Sequence, residues 1–310
     1  MKHPCALILV LMLTVSVIAS SQTIIPRHLN QPPNEVNLQW HSLLEAKKLA
    51  EAETFCQACL RNPDQRIIVE GHKCLANVSI ARASPVVEGP RAGRSGSIGQ
   101  GLAGPGVDDA LKHLKQALAL APGDMTIHQG RLYLLLRASR YDEMPGALEE
   151  SIGEYKKPDA LEHWLSYCGV LLQISHAETG LAFTRVLEKY YPTDHRVIAN
   201  VGGFLMALER DAEALEYLKK AIVMKPDDPI NNWNLGRLYD FTNQNQLADQ
   251  YYQQALKLEQ KPDQLKVNYC IYAGFLEKKL LHPARACELQ QQYCPVKERT
   301  ACYSKKGEQP

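Results

Sequence analysis

Two cysteines three residues apart, Cys56-Gln-Ala-Cys59, are the pattern in this chain that comes nearest to carrying chemistry. A Cys-x-x-Cys pair exchanges disulfides when one thiol has a lowered pKa, because the thiolate is the nucleophile. The positive end of a helix dipole supplies that lowering. Here the pair stands just before Asn62-Pro63, where its helix must end and the dipole disfavours a thiolate. No βαβ pattern follows to frame a redox site, so structural disulfide partners are the expected role, with thiol-disulfide exchange as the rival. Zinc is disfavoured, because no second Cys-x-x-Cys and no His-x₃₋₅-His completes a four-ligand set. The ten histidines share no metal spacing, and His163, His176 and His195 fall at unrelated positions. No metal and no other cofactor is expected.

Two further matches fail on context. Gly99-Gln-Gly101-Leu-Ala-Gly104 is formally Gly-x-Gly-x-x-Gly, and Asp124 lies 20 residues beyond it. A dinucleotide site needs a buried strand immediately before the glycines; Arg91 to Ser97 is polar and small, and Pro105-Gly106 interrupts the run into the next helix. Gly93-Arg-Ser95-Gly-Ser97 is no nucleophile elbow, because its fifth position is Ser. No catalytic residue is assigned, and the chain reads as non-enzymatic. Asn77-Val-Ser79 is an N-glycosylation sequon, meaningful only in a eukaryotic source.

The elements that position these residues follow from composition and period. With 310 residues, 22% of them charged and 45% hydrophobic, the chain suits a folded protein. Its 35 Lys+Arg against 34 Asp+Glu leave a net charge of +1, which excludes bulk attraction to nucleic acid or an anionic membrane. Lys2 and His3 precede an apolar run from Cys5 to Ile18 that ends in Ala19-Ser20-Ser21, the form of a secretory signal peptide over residues 1–21. The run is too short to span a bilayer, so no integral membrane span is expected after cleavage. A secreted or periplasmic location follows, and a flexible N-terminal segment over 22–35. Cleavage removes one of nine cysteines and leaves eight, an even number that suits disulfides in an oxidising compartment.

Prolines at 63, 122, 158, 192, 226, 262 and 295 are spaced by 59, 36, 34, 34, 36 and 33 residues. Gly202 recurs as Gly236, Ala214 as Ala248, Leu218 as Tyr252 and Ala221 as Ala255, each after 34 residues. That period belongs to stacked helical hairpins, with small residues where two helices touch. Trp164, Phe183, Tyr239 and Tyr252 are expected to fill the wider gaps. Val36 to Arg61 reads as one long amphipathic helix, an N-terminal cap. Ile67 to Ala83 and Asp108 to Leu120 read as a hairpin split by a disordered, glycine-rich insert over 89–106, which holds seven Gly and two Pro. The array runs over 36–295, its last unit 263–295 degenerate and capping, followed by a polar tail over 296–310.

The segment Pro229 to Glu259, with Leu235-Gly236, Tyr239, Ala248, Tyr252 and Ala255, resembles a tetratricopeptide repeat. So does 195–228, with Val201-Gly202, Leu205, Ala214, Leu218, Ala221 and Pro226. The match weakens in 161–194, where Cys168 replaces the glycine, and in 125–160, where Pro145-Gly146 interrupts the second helix. The resemblance implies an all-α right-handed superhelical solenoid of about six hairpins. It also implies an exported scaffold that binds a protein or peptide in the groove lined by its first helices. An exported thiol-disulfide exchange factor using Cys56 and Cys59 is the alternative function.

Carried over by position, the family's ligand-contacting residues are Arg196, Ala199, Gly203 and Met206, then Ile230, Trp233, Arg237 and Asp240. Only Arg196 and Arg237 bring positive charge, which departs from the basic clamp for C-terminal carboxylates and points to a more apolar ligand. Trp233 and Arg237, four residues apart, are the expected hot spot if Trp233 faces the groove; as a core residue it would carry stability instead. Adjacent helices bring Cys74 to Cys56 or Cys59. Two more bonds are expected among Cys270, Cys287, Cys294 and Cys302, leaving Cys168 and one terminal thiol over.

Overall fold

Four helices in this chain begin where an aspartate follows a proline by one or two residues. Asp64, Asp124, Asp194 and Asp228 each accept a backbone N–H from two or three residues ahead, at 2.8–2.9 Å. Each carboxylate occupies an amide that the first helical turn leaves without a partner. Prolines 63, 122, 192 and 226 stop the preceding helix, so proline and aspartate together punctuate the repeat.

The computed structural model describes residues 35–85, 102–155 and 160–295. The expected signal peptide, most of the glycine-rich insert with Arg91 and Gly99, the tail over 296–310 and Cys302 lie outside the described residues. Among the described residues are fourteen α-helices in seven consecutive pairs, and the fold is all-α. The chain forms two compact units that divide between Tyr167 and Cys168.

The N-terminal unit contains α1 (Glu35–Glu45), α2 (Leu49–Cys59), α3 (Gln65–Arg82), α4 (Pro105–Leu120), α5 (Met125–Arg137) and α6 (Met144–Glu154). A two-residue antiparallel pairing of Ser84–Pro85 with Leu102–Ala103 leads into α4. The boundary falls within α7 (Ala160–Gln173). The C-terminal unit continues with α8 (Ala177–Tyr190), α9 (His195–Ala207), α10 (Asp211–Met224), α11 (Pro229–Phe241), α12 (Asn245–Leu258), α13 (Pro262–Lys278) and α14 (Pro283–Tyr293).

In five of the seven pairs the first helix ends the same way, whereas α3 runs out into extended backbone at Ala83. Lys47, Ser139, Ser175, Glu209 and Asn243 all have φ between 58° and 62°. In the fourth of these turns the Arg210 amide donates to the Leu205 carbonyl at 2.9 Å and the Glu209 amide to Met206 at 3.1 Å; Gln244 and Asn243 do the same with Tyr239 and Asp240. This is the left-handed C-cap that glycine usually occupies. Here other residues adopt it because the next helix, packed back on the first, holds the turn.

The seam between paired helices is as narrow as the sequence period implies. A Cβ on Gly202 would meet Leu218 Cδ2 at 2.7 Å, and one on Gly236 would meet Tyr252 Cδ1 at 2.9 Å. Ala214 and Ala248 are fully buried. Trp164, Phe183, Tyr239 and Tyr252 are buried as expected.

Three expectations about breaks are corrected. The stretch Val36 to Arg61 is two helices, not one: Lys47 takes φ 58° and the Lys48 amide donates to Leu43 at 2.9 Å. A straight helix would hold Trp40 and Cys56 about 24 Å apart; the reversal buries both in one cluster with Ala52, Cys74, Leu75 and Val78. Pro105-Gly106 opens α4 rather than interrupting it, and Pro145 likewise stands in the first turn of α6. Proline is tolerated there because the first amides of a helix have no intrahelical acceptor.

Candidate functional site

The residues carried over as a groove lie on α9 and α11, and the structure sorts them into two faces. Arg196, Asn200, Gly203 and Ala207 recur at steps of four, three and four along α9, and all stay open to solvent to some degree. Thirty-four residues on, Ile230, Asn234, Arg237 and Phe241 occupy the same steps of α11. A spacing of i, i+4, i+7, i+11 is one stripe of a helix. Ala199, Met206 and Trp233 lie on the neighbouring, buried face, with Trp233 only 8% exposed. Of the eight positions, Arg196, Gly203, Ile230 and Arg237 therefore line the open stripe, and Asp240 is half-buried beside it.

Asp194 caps α9 and fixes Arg196 at the head of its stripe, with Nη2–Oδ2 and Nε–Oδ1 distances of 2.8 and 3.0 Å. Burial pushes the Asp194 carboxyl up, but the hydrogen bonds from Arg196 outweigh it and hold the group below the usual carboxylate range. Asn200 donates to the Arg196 carbonyl at 2.8 Å. On α11 the Arg237 guanidinium sits 5.6 Å from the Phe241 ring centroid, within cation–π range. Desolvation pulls the Arg237 pKa down, against Tyr252 and Asp240. Ile230 and Phe241, 48% and 45% exposed, stand at the two ends of the α11 stripe. Its surface is thus apolar at both ends and cationic between.

The floor beneath the stripe is aromatic. The Trp233 ring lies 4.7 Å from that of Tyr252, which packs edge-on against Phe275 at 5.2 Å and Tyr272 at 6.1 Å. The Tyr252 hydroxyl donates to Asp240 Oδ2 at 3.3 Å, and Lys279 Nζ stands 3.8 Å from Asp240 Oδ1. Burial raises the Asp240 pKa, with Lys279 opposing it.

The sequence reading missed Phe241, Asn200 and Asn234. The signal was present in the i, i+4, i+7, i+11 steps from Ile230, but choosing that stripe over the adjacent one needs the position of the partner helix.

The Cys56/Cys59 pair is not joined. Cys56 is bonded to Cys74 across the α2–α3 contact, with the Cα atoms 5.9 Å apart. Cys59, the last residue of α2, keeps a buried thiol whose pKa is raised by desolvation, with the Glu70 charge adding to the rise. A raised pKa at a helix C-terminus is the opposite of what thiol exchange needs. Cys270 is bonded to Cys294, which ties α13 to the end of α14, and Cys287 is also in disulfide linkage. Cys168 is a buried thiol, its pKa raised by burial.

Asp124, singled out by its distance from the glycines, instead caps α5 and pairs with Lys73 at 2.7 Å. Asn77 is buried and donates to the Lys73 carbonyl at 2.9 Å, which leaves no room for a glycan in the folded chain.

A tetratricopeptide repeat family model matches residues 231–262, the span that begins in α11 and takes in all of α12. The C-terminal part of a TPR repeat-containing protein from Cytophaga hutchinsonii superposes with a TM-score of 0.51, over 87% of this chain and 99% of that one, at 12% identity. The chain carries a tetratricopeptide repeat over 231–262 and has the fold of a tetratricopeptide-repeat array. Two further solved structures give lower TM-scores. A tetratricopeptide repeat protein from Parabacteroides merdae gives a TM-score of 0.42 at 14% identity, over 88% of this chain and 94% of its own. PilF of Pseudomonas aeruginosa gives 0.42 at 16% identity, over 64% and 90%. A comparison with curated proteins finds no match. No helix among the described residues is long and apolar enough to cross a membrane.

Proposed function

We propose that this protein is an exported, non-enzymatic scaffold that binds a protein or peptide along the open stripes of α9 and α11. The observation that carries the reading is the Ile230–Asn234–Arg237–Phe241 stripe. It leaves two large apolar side chains exposed on either side of a half-buried guanidinium, above a floor of buried aromatic rings. Arginine and large aromatic side chains are over-represented among the residues that carry binding energy. Gly203, with nothing within 4 Å of its Cβ position, leaves room on the facing stripe of α9. A segment with aliphatic or aromatic side chains and a carboxylate near its middle fits this pattern. Export is supported by the Cys56–Cys74 and Cys270–Cys294 bonds, since disulfides persist in oxidising compartments.

The test is affinity capture from the exported fraction with the wild type and with an Arg237→Ala/Phe241→Ala variant. The expected result is loss of the captured partner with a nearly unchanged melting temperature. Retention of the partner by the double variant would remove the assignment.

A further inference from the structure

Away from α9 and α11, two histidines 41 residues apart in sequence meet at the contact between α3 and α4. The Nδ1 atoms of His72 and His113 are 3.2 Å apart, and their ring centroids 5.5 Å. Two nitrogens bound to one tetrahedral metal ion at 2.0–2.1 Å would lie about 3.3 Å apart. The two rings therefore already stand at the separation of two ligands of one ion.

The helices around them are rigidly placed. Seven residues along in each direction, a Cβ on Gly106 of α4 would strike the Ser79 carbonyl of α3 at 2.4 Å, so the two backbones touch there. Val69, Ala76, Ile80, Ala110, Leu114 and Ala117 bury the same interface. Both rings are half-buried. Desolvation holds both imidazoles below their ordinary pKa, the neighbouring ring adding to the effect on His72, so both are neutral at pH 7; without metal one Nδ1 donates to the other, and the donor ring's proton stands on Nε2 instead when both Nδ1 atoms take a metal ion. The Asp109 charge favours a cation at His113 and the Lys112 charge opposes it. No group of three His, Cys, Asp or Glu side chains converges among the described residues, so the protein supplies two ligands and solvent the remainder.

We propose that His72 and His113 form a two-imidazole site for a borderline divalent metal ion, Zn(II) foremost, which clips α3 to α4. Imidazole nitrogen suits Zn(II), Ni(II) and Cu(II), whereas Mg(II) and Ca(II) require oxygen ligands. The ion would cross-link the two helices that flank the glycine-rich segment, as the Cys56–Cys74 bond cross-links α2 to α3 one contact earlier.

The test uses the full chain, free of tag histidines and stripped with a chelator, titrated with Zn(II) chloride and separately with Mg(II). Calorimetry should show saturation near one Zn(II) per chain. Long-range ¹⁵N spectra of the imidazoles should show the Nδ1 signals of His72 and His113 moving together. The melting temperature should rise by roughly 3–6 °C at saturation. His72→Gln and His113→Gln should each weaken Zn(II) binding at least about tenfold, the size of effect expected when a ligand shell is disturbed. His128→Gln should leave it unchanged, and Mg(II) should do nothing. Unmoved His72 and His113 signals in the wild type would overturn the site by themselves, whether or not the variants fold; so would an affinity unaltered in both variants.

Discussion

The two units of the chain bury different side chains between their helices. Beneath the first helices of the N-terminal unit lies a charged group: Lys73 contacts Glu70 at 3.1 Å and Asp124 at 2.7 Å, while Asn37 donates to Glu70 at 2.8 Å. Desolvation pulls the Lys73 pKa down, but Glu70 and Asp124 outweigh it and hold the ammonium above its ordinary value. Beneath the first helices of the C-terminal unit lie Trp233, Tyr252, Tyr272 and Phe275. The hairpin geometry is common to both, so the repeat specifies where helices go without specifying what fills the space. The N-terminal unit adds a buried ionic group, which needs each partner present, to its apolar clusters; the aromatic filling of the C-terminal unit leaves α11 free to present charge outward.

The largest effect that would sharpen this contrast is expected at Trp233. Trp233→Ala should cost about 3–5 kcal/mol, the range for removing a buried aromatic side chain. Arg237→Ala, one turn away on the open stripe, should change stability little. Chemical denaturation of the two variants checks both, and a small effect at Trp233 would return that side chain to the open face. In the N-terminal unit, Lys73→Ala should cost about 3 kcal/mol, because it strands two carboxylates that its ammonium now balances. Lys73→Met, which also buries well, should lose most of the same stability, since the Glu70 and Asp124 charges remain. Indifference to both changes would show that the ions contribute nothing.

Acid should separate the units next. His72, His113 and His128, all in the N-terminal unit, are held by desolvation below their ordinary value of 6.5. A histidine whose folded pKa is depressed takes up its proton more readily when unfolded, so the stability it contributes is lost as pH falls below 6.5. Asp124, held below its ordinary 3.8 despite burial, keeps its contribution until pH falls through that lower range. The environment of Trp40 should therefore be lost at a higher pH than that of Trp233, as followed by single-tryptophan fluorescence. Loss of the two at one pH would break the distinction.

The smallest effect comes from two adjacent glycines of opposite sign. Gly202→Ala would drive a methyl into Leu218 and should cost about 1–3 kcal/mol. Gly203→Ala meets open space and should gain up to about 1 kcal/mol through helix propensity. Thermal melts of the pair decide whether the seam or the helix backbone dominates in this repeat.

The recurrence of Gly202, Ala214, Leu218 and Ala221 after 34 residues was enough to read the hairpins, their order and the narrow seam. Each of those is a local consequence of small side chains at helical spacing. Four helix starts are also marked in the sequence, though the sequence reading did not use them, by the aspartates after Pro63, Pro122, Pro192 and Pro226, because a cap is satisfied within three residues. Contacts between residues distant in the chain were not legible. Whether Cys74 joins Cys56 or Cys59, and that His72 faces His113, depend on the rotation of one helix against another, and one residue turns a helix by about 100°. The same rotation decided that Met206 and Trp233 turn inward while Arg237 and Phe241 stay out. The reversal at Lys47 was hidden for a related reason: no glycine or proline marks it, and it exists because the folded-back helix buries Trp40 beside Cys56 and Cys74. Local pattern determined which helices form and where they pair, and tertiary packing alone decided which of their faces are left for a partner.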